Sequence, residues 1–213
     1  MKKILLIGLT LMASCSSTRF VDSWRNGEIA SFDPNKLLVV GMTDNLTARK
    51  IFEEELKLAL IKRGVNAFES NGVIDQEFTR SQRSLEEIDG MSHKLVEEGF
   101  DAVVVTAIKG VDDKTDYRSN SFNMDYRWYR FGRYWYAYQD IYYRPGYYTN
   151  YKIYHVETAI YNLEGVEDKS LVWVGSFDIV DPQNITSTVD DYVARIIEEM
   201  ERENLIGRPL GSI

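Results

Sequence analysis

Lys36 to Met42 (KLLVVGM) is a continuous apolar run of strand length, without the polar alternation of a half-exposed strand, and Phe100 to Ile108 (FDAVVVTAI) is the most β-rich run in the chain. A strand that is apolar on both faces has to be covered on both faces, which is how parallel strands lie between layers of helix. The residues between the two runs supply those layers. Ala48, Ile51, Phe52, Leu56 and Ala59 recur at helical spacing, so a helix is expected over Leu46 to Arg63, with Asn45 as its N-cap and Gly64 at the C′ position. Val65 to Glu69 reads as a short second strand. Ser84-Leu85-Glu86-Glu87 has the capping-box pattern, and Leu85, Ile88, Met91 and Leu95 then line one face of a helix that ends at Gly99.

Strand, helix, strand, helix, strand is the order of a parallel unit. If its first strand lies between the other two, right-handed crossovers place the two helices on opposite faces. Farther along, Tyr151 to Asn162 alternates with Tyr154, Val156, Thr158 and Ile160 on one side. Leu171 to Val180 alternates with Leu171, Trp173, Phe177 and Ile179 together. Glu164 to Asp168 supplies a turn, so the pair reads as an antiparallel hairpin, which Pro182 closes. Ser187 is expected to cap a last helix with the stripe Val189, Tyr192, Val193, Ile196, Ile197 and Met200. The fold expected is α/β: a mixed five-stranded sheet, β-α-β-α-β followed by a hairpin and a C-terminal helix, with helices on both faces. Val39, Phe52, Val104 and Ile196 should lie in its core.

The chain opens with Met1-Lys2-Lys3 and an apolar run from Ile4 to Ala13, about ten residues, the length of a signal-peptide core. A spanning helix needs roughly 20 apolar residues, so the run is too short to be a permanent anchor. Met12-Ala13-Ser14-Cys15 closes it and resembles a lipobox, the site at which lipoprotein signal peptidase cuts before a lipid-modified cysteine. That resemblance implies a bacterial envelope lipoprotein with acyl chains on Cys15 and no spanning segment. Cys15 is the one cysteine of the chain, and a lone thiol in an oxidising compartment has no disulfide partner.

On this reading residues 1–14 are signal peptide, 15–35 a lipidated tether and 36–206 a single α/β domain with an insertion at about 119–150. Fully extended, the tether from Ser16 to Asn35 would reach at most about 60–70 Å, although Trp24 within it is expected to dock on the domain. Loss of Lys2 and Lys3 with the signal leaves 23 basic against 33 acidic residues, a net charge near −10. Nucleic acid and anionic lipid both favour positive patches, so neither fits as a partner.

The segment Leu37 to Gly64, closing on Arg63-Gly64-Val65, resembles the α/β domains of many bacterial envelope lipoproteins. The pair Ala159-Ile160-Tyr161-Asn162-Leu163 and Lys169-Ser170-Leu171-Val172-Trp173 is similar to a hairpin recurring in those domains, of which the TolB amino-terminal domain and the curli-secretion lipoprotein are the better-known examples. The resemblance implies assembly or scaffolding, and it transfers no catalytic residue.

Signatures of chemistry are sparse. No nucleophile elbow, phosphate loop or dinucleotide glycine pattern is present. His93 and Glu97 have the i, i+4 spacing of a helical metal pair, but a second pair is missing and a solvent-facing histidine is the plainer reading. His155 reads as a surface or partly covered sheet residue. Asp112, Asp113 and Asp116 follow the third strand, where α/β sheets place ligands, and also look like a solvated turn, the reading favoured here. No cofactor and no metal is implied.

The departure from an ordinary domain is Phe122 to Tyr151, in which 14 of 30 residues are aromatic and Arg127, Arg130, Arg133 and Arg144 are interleaved. Aliphatic core residues are almost missing there. Tyrosine-rich chain can form a twisted hairpin folded back over a sheet edge. Tyr, Trp and Arg also dominate binding hot spots, and flat rings stack on sugar faces. The candidate contact residues are Tyr126, Trp128, Tyr129, Arg130, Arg133, Tyr134, Trp135 and Tyr136. The function expected is non-enzymatic: a lipoprotein of the outer membrane facing the periplasm that binds or helps assemble an envelope protein partner. The alternative is a module for glycan or peptidoglycan, with polysaccharide as ligand.

Overall fold

The structure, a computed structural model, describes residues 16–75, 78, 81–113, 131–132, 152–165 and 170–209. Among these, the elements in chain order are β1 (Thr18–Arg25), β2 (Leu37–Met42), α1 (Leu46–Ile61), β3 (Ala67–Glu69), α2 (Leu85–Glu97), β4 (Ala102–Asp113), β5 (Lys152–Asn162), β6 (Leu171–Val180) and α3 (Ile185–Arg202). The strands form one mixed sheet in the order β1-β6-β5-β4-β2-β3. β2 runs parallel to β3 and to β4, and the remaining pairs are antiparallel.

β2 lies between β3 and β4, so the two crossovers leave in opposite directions and their helices land on opposite faces. α1 and α3 cover one face over Leu37, Val39, Val104, Ile160, Trp173 and Phe177. α2 covers the other through Ile88 and Leu95, over Leu38, Val40, Val103 and Val105. Val39, Phe52, Val104 and Ile196 are all buried. Alternate residues of β2 and β4 thus feed two separate cores, which is why neither strand shows polar alternation.

The local signals fall where the spacing puts them. Asn45 accepts from the Ala48 amide, and Ser84 and Glu87 close a reciprocal capping box. Gly64 and Gly99 both sit at φ +84°, the left-handed conformation a helix C′ position requires. One cap differs: α3 begins at Asn184, whose side chain accepts from the Ser187 amide, so Ser187 occupies the third helical position.

Three features depart from the sequence reading. The sheet has a sixth strand: Thr18 to Arg25, within the expected tether, pairs antiparallel with β6. A bulge at Val21 flips the strand's facing, so Phe20 packs edge-on to Phe177 with ring centres 5.7 Å apart, while Trp24 packs on the opposite core. Trp24 does dock, as part of a strand. Second, a register shift between Ile160 and Tyr161 sends Leu171 to the α2 face, apart from Trp173. Third, β4 runs past Ile108 as far as Asp113, so Asp112 and Asp113 lie on a strand paired with β5 and not in a turn. Gly175 is set by close approach: a Cβ there would fall 2.4 Å from the Trp173 ring.

Candidate functional site

β4 and β5 carry the chain out to the aromatic insertion and back, and their ladder holds to Asp113 opposite Lys152. The insertion therefore leaves from a paired two-stranded stem at the carboxyl end of β2, β4 and β6. A row of charged side chains crosses the sheet at that level. His155 on β5 shares Nδ1 with Asp178 Oδ1 of β6 at 2.7 Å and Nε2 with Asp112 Oδ2 of β4 at 3.1 Å. Arg19 on β1 donates to the other oxygen of Asp178 at 2.5 Å. Four strands are thereby tied across one line. One turn of pleat inward, Lys109 pairs with Glu157 at 3.2 Å, and the Glu157 carboxylate is 3% exposed. Its second oxygen is buried with no hydrogen-bond partner among the described residues.

Both ring nitrogens of His155 face carboxylate oxygens, and a ring can satisfy both only by donating from both, as imidazolium. Burial alone would lower its pKa; the hydrogen bonds it donates to Asp112 and Asp178, with their charges, outweigh that and hold it above the ordinary 6.5. Burial pulls the Lys109 ammonium the other way, to about 8, against the opposing pull of Glu157. A doubly engaged imidazolium has no lone pair with which to accept a proton, so as placed His155 is a clasp between strands.

The clasp has a pH signature. Its folded pKa is raised, so its stabilisation is complete below the unfolded value of about 6.5 and is lost as pH rises through the folded value. Lys109 contributes oppositely above about 8, since its folded pKa is lowered. Melting temperatures of the wild type and of His155→Gln between pH 5.5 and 9 separate the two. The gap between them should be widest at the acid end and close toward pH 9, whereas a gap independent of pH would mean that His155 is neutral in the fold.

A second polar cluster, under the carboxyl end of β2, is buried. Glu53 of α1 is fully enclosed; its Oε1 accepts from the Gly41 amide at 2.9 Å, Arg49 Nε at 2.9 Å and Ser70 Oγ at 2.6 Å, and its Oε2 from the Ser70 amide at 3.1 Å. Both carboxylate oxygens accept, so the cluster joins β2, α1 and the turn after β3. On the same face Thr106, Thr158 and Tyr192 form a buried hydroxyl chain, 2.6 Å and 2.7 Å between oxygens.

Of the residues singled out in the sequence, Asp112 and His155 are brought together, and His93 is exposed on α2. The Asp113 side chain and Asp116 lie outside the described residues. So do Cys15 and the candidate contact residues Tyr126, Trp128, Tyr129, Arg130, Arg133, Tyr134, Trp135 and Tyr136. Within the insertion the described residues are Phe131 and Gly132. Phe131 is buried in the α2-side core, 6.3 Å from the Tyr161 ring. Gly132 abuts α2 so closely that a Cβ would fall 2.4 Å from Asp89 Oδ1. At least one ring of the insertion is therefore core. Arg19, Lys109, Glu157 and Asp178 were not singled out. The signal for two of them was a lone acid inside an apolar strand, Asp178 between Phe177 and Ile179 and Glu157 between Val156 and Thr158.

Among the described residues no three His, Cys, Asp or Glu side chains are grouped to hold a metal ion, and no helix is long and apolar enough to cross a membrane. No protein-family model and no curated protein matches the chain. Among solved structures, two of the PelC dodecamer from Paraburkholderia phytofirmans are similar, at 10% and 9% identity with TM-scores of 0.42 and 0.40, over 84% of this chain and 94% and 93% of theirs. The lipoprotein GNA1162 from Neisseria meningitidis is similar at 12% identity and a TM-score of 0.41, over 79% of this chain and 99% of that one. Likenesses this loose assign neither a family nor an activity.

Proposed function

We propose that this chain is a non-catalytic lipoprotein of the cell envelope, acylated at Cys15 and held at the outer membrane facing the periplasm, which binds or helps assemble a protein partner through its aromatic insertion. The observation that carries the reading is the sequence itself: a lipobox-like signal ending in the chain's one cysteine, and a segment with 14 aromatic residues in 30. The stem supports it. A recognition segment is useful only if its base is rigid, and this one leaves a two-stranded ladder braced by Asp112, His155, Asp178 and Arg19. No cofactor and no nucleic acid enters this reading.

The test pairs two variants in cells. Cys15→Ser should abolish metabolic lipid labelling and yield an uncleaved or soluble form; labelling that persists ends the lipoprotein reading. Replacing 119–150 by a short glycine-containing turn should leave a folded, membrane-bound protein, because loop closure changes slowly with length and the stem is already paired. Loss of Phe131 should lower its stability by about 3–5 kcal/mol. Crosslinking followed by pull-down should recover a specific protein with the wild type and not with the shortened form. Equal recovery from both removes the insertion's role, and retention on peptidoglycan without any protein would transfer that role to a glycan.

A further inference from the structure

The strand β1 decides how near the domain sits to whatever holds residue 15. A free tether over 16–35 would have let the domain range far from the membrane. Instead the chain is tied down almost at once: the Ser17 carbonyl accepts from the Val180 amide at 2.8 Å, and the Ser17 amide donates to Asp191 Oδ2 at 2.9 Å. From Ser17 back to Cys15 is two residues, a reach of about 7 Å. Ser17 lies level with Asp191, six residues into α3, and six residues of helix rise about 9 Å. The tether is therefore no longer than the stretch of α3 that stands beyond its point of attachment. An acyl anchor at Cys15, even with the thioether and glycerol that carry its chains, keeps the bilayer surface close to the first turn of α3.

That end of the domain is built alike on two helices. α1 and α3 run side by side and in the same direction, as two contacts along their length establish: the Phe52 and Tyr192 rings stack 5.9 Å apart, and farther down Arg63 Nε meets Glu201 Oε1 at 2.6 Å. Each helix starts with the same three-residue pattern, Asn45-Leu46-Thr47 and Asn184-Ile185-Thr186, in which the asparagine caps and the next residue is aliphatic. Leu46 is 55% exposed and Ile185 40%. Residues 43–48 and 181–189 hold one acid each, Asp44 and Asp181, and no lysine or arginine. The far ends of the same helices carry more charge, Lys62 and Arg63 on one, beside the 47% exposed Ile61, and Arg202 and Glu203 on the other.

We infer that the α1–α3 end of the domain, with Leu46 and Ile185 at its tip, is a membrane-docking face that rests on the zwitterionic lipid surface to which Cys15 is anchored. The inference rests on the lipoprotein reading. A net charge near −10 selects against anionic lipid, and a pair of aliphatic side chains among mostly uncharged polar ones suits the headgroup boundary. The contact can be weak, because the anchor makes docking intramolecular. The opposing pose, with the sheet edge lying flat, would press Arg19 and Asp22 of β1 on the lipid, at a cost in desolvation.

The experiment uses the full acylated chain in phosphatidylcholine vesicles. Acylation leaves Cys15 unreactive, so single cysteines can carry an environment-sensitive fluorophore: Leu46→Cys and Ile185→Cys at the docking face, Lys62→Cys at the far end of α1, and Val21→Cys on the β1 edge. Lipids with a nitroxide near the headgroup should quench the first two probes several-fold more strongly than the last two. Quenching equal at all four sites, or strongest at position 21, overturns the docking face while leaving the anchor intact. An intact mass without acyl groups overturns the reading of Cys15 and the inference with it.

Discussion

Val104→Asp should abolish the cooperative unfolding transition. Val104 is 1% exposed and stands on β4 opposite Val39 of β2 on one side and Ile160 of β5 on the other. Its side chain enters the core that α1 and α3 cover. A carboxylate there is set among the aliphatic and aromatic side chains of that core, away from solvent. The group must stay charged without solvation or bind a proton at the expense of its free energy in water, and either costs on the order of 5 kcal/mol. That is comparable with the whole stability of an ordinary domain, about 5–15 kcal/mol. Circular dichroism on heating, or in urea, should show a melted or unfolded baseline in place of the wild-type transition. Val104→Ala, which leaves a void but no charge, should keep a cooperative transition at a lower midpoint. A Val104→Asp protein that melts within a few degrees of the wild type would mean that β4 is not a central strand.

Glu53→Ala should be the next most damaging change, for a different reason. The carboxylate accepts from the Gly41 amide, Arg49, and both the hydroxyl and amide of Ser70. Truncation leaves those donors facing a void, and it leaves the Arg49 guanidinium, 8% exposed, without its buried counter-charge. Removing one partner of a buried ion pair costs about 3–5 kcal/mol. Replacing both members by apolar residues is often tolerated, since no lone charge is stranded. The double variant Arg49→Met, Glu53→Met should thus unfold at a higher urea concentration than Glu53→Ala alone. The Gly41 and Ser70 amides still lose their acceptor in the double variant, so it should stay below the wild type. A single variant within about 1 kcal/mol of the wild type would show that water takes over the acceptor's place, and that the cluster is not a joint between β2 and α1.

These two sites mark where the sequence was readable and where it was not. Val104 announced itself, because a run of four apolar residues, Ala102 to Val105, three of them β-branched, reads the same whatever surrounds it. Glu53 did not. In the sequence it is one of three consecutive glutamates on an amphipathic helix, Glu53-Glu54-Glu55, and nothing local separates the one that turns inward from the two that do not. Its partners at Gly41 and Ser70 lie 12 and 17 residues away on other elements. The clasp at the stem is longer-ranged still, since Arg19 and Asp178 are 159 residues apart. Asp112 looked like part of a solvated turn because its strand continues only by virtue of its pairing with β5.

The sequence by itself determined the features whose physics closes within a few residues. Helix caps at Asn45 and Ser84, the left-handed glycines at Gly64 and Gly99, and the apolar stripes of α1, α2 and α3 depend on hydrogen bonds and side-chain spacing three or four residues apart. It also determined that β2 lies between layers, because its unbroken apolar character allows no wet face. Tertiary structure alone decided that residues 18–25 are a strand and not a tether. Their polar, mixed composition becomes β only because the free edge of β6 offers unpaired amides and carbonyls, and because Phe20 and Trp24 find cores on opposite faces across the bulge at Val21. It alone decided, too, which acids are buried, since a carboxylate is stable inside a protein only where donors from distant segments converge on it, and convergence is a property of the fold and not of any stretch of chain.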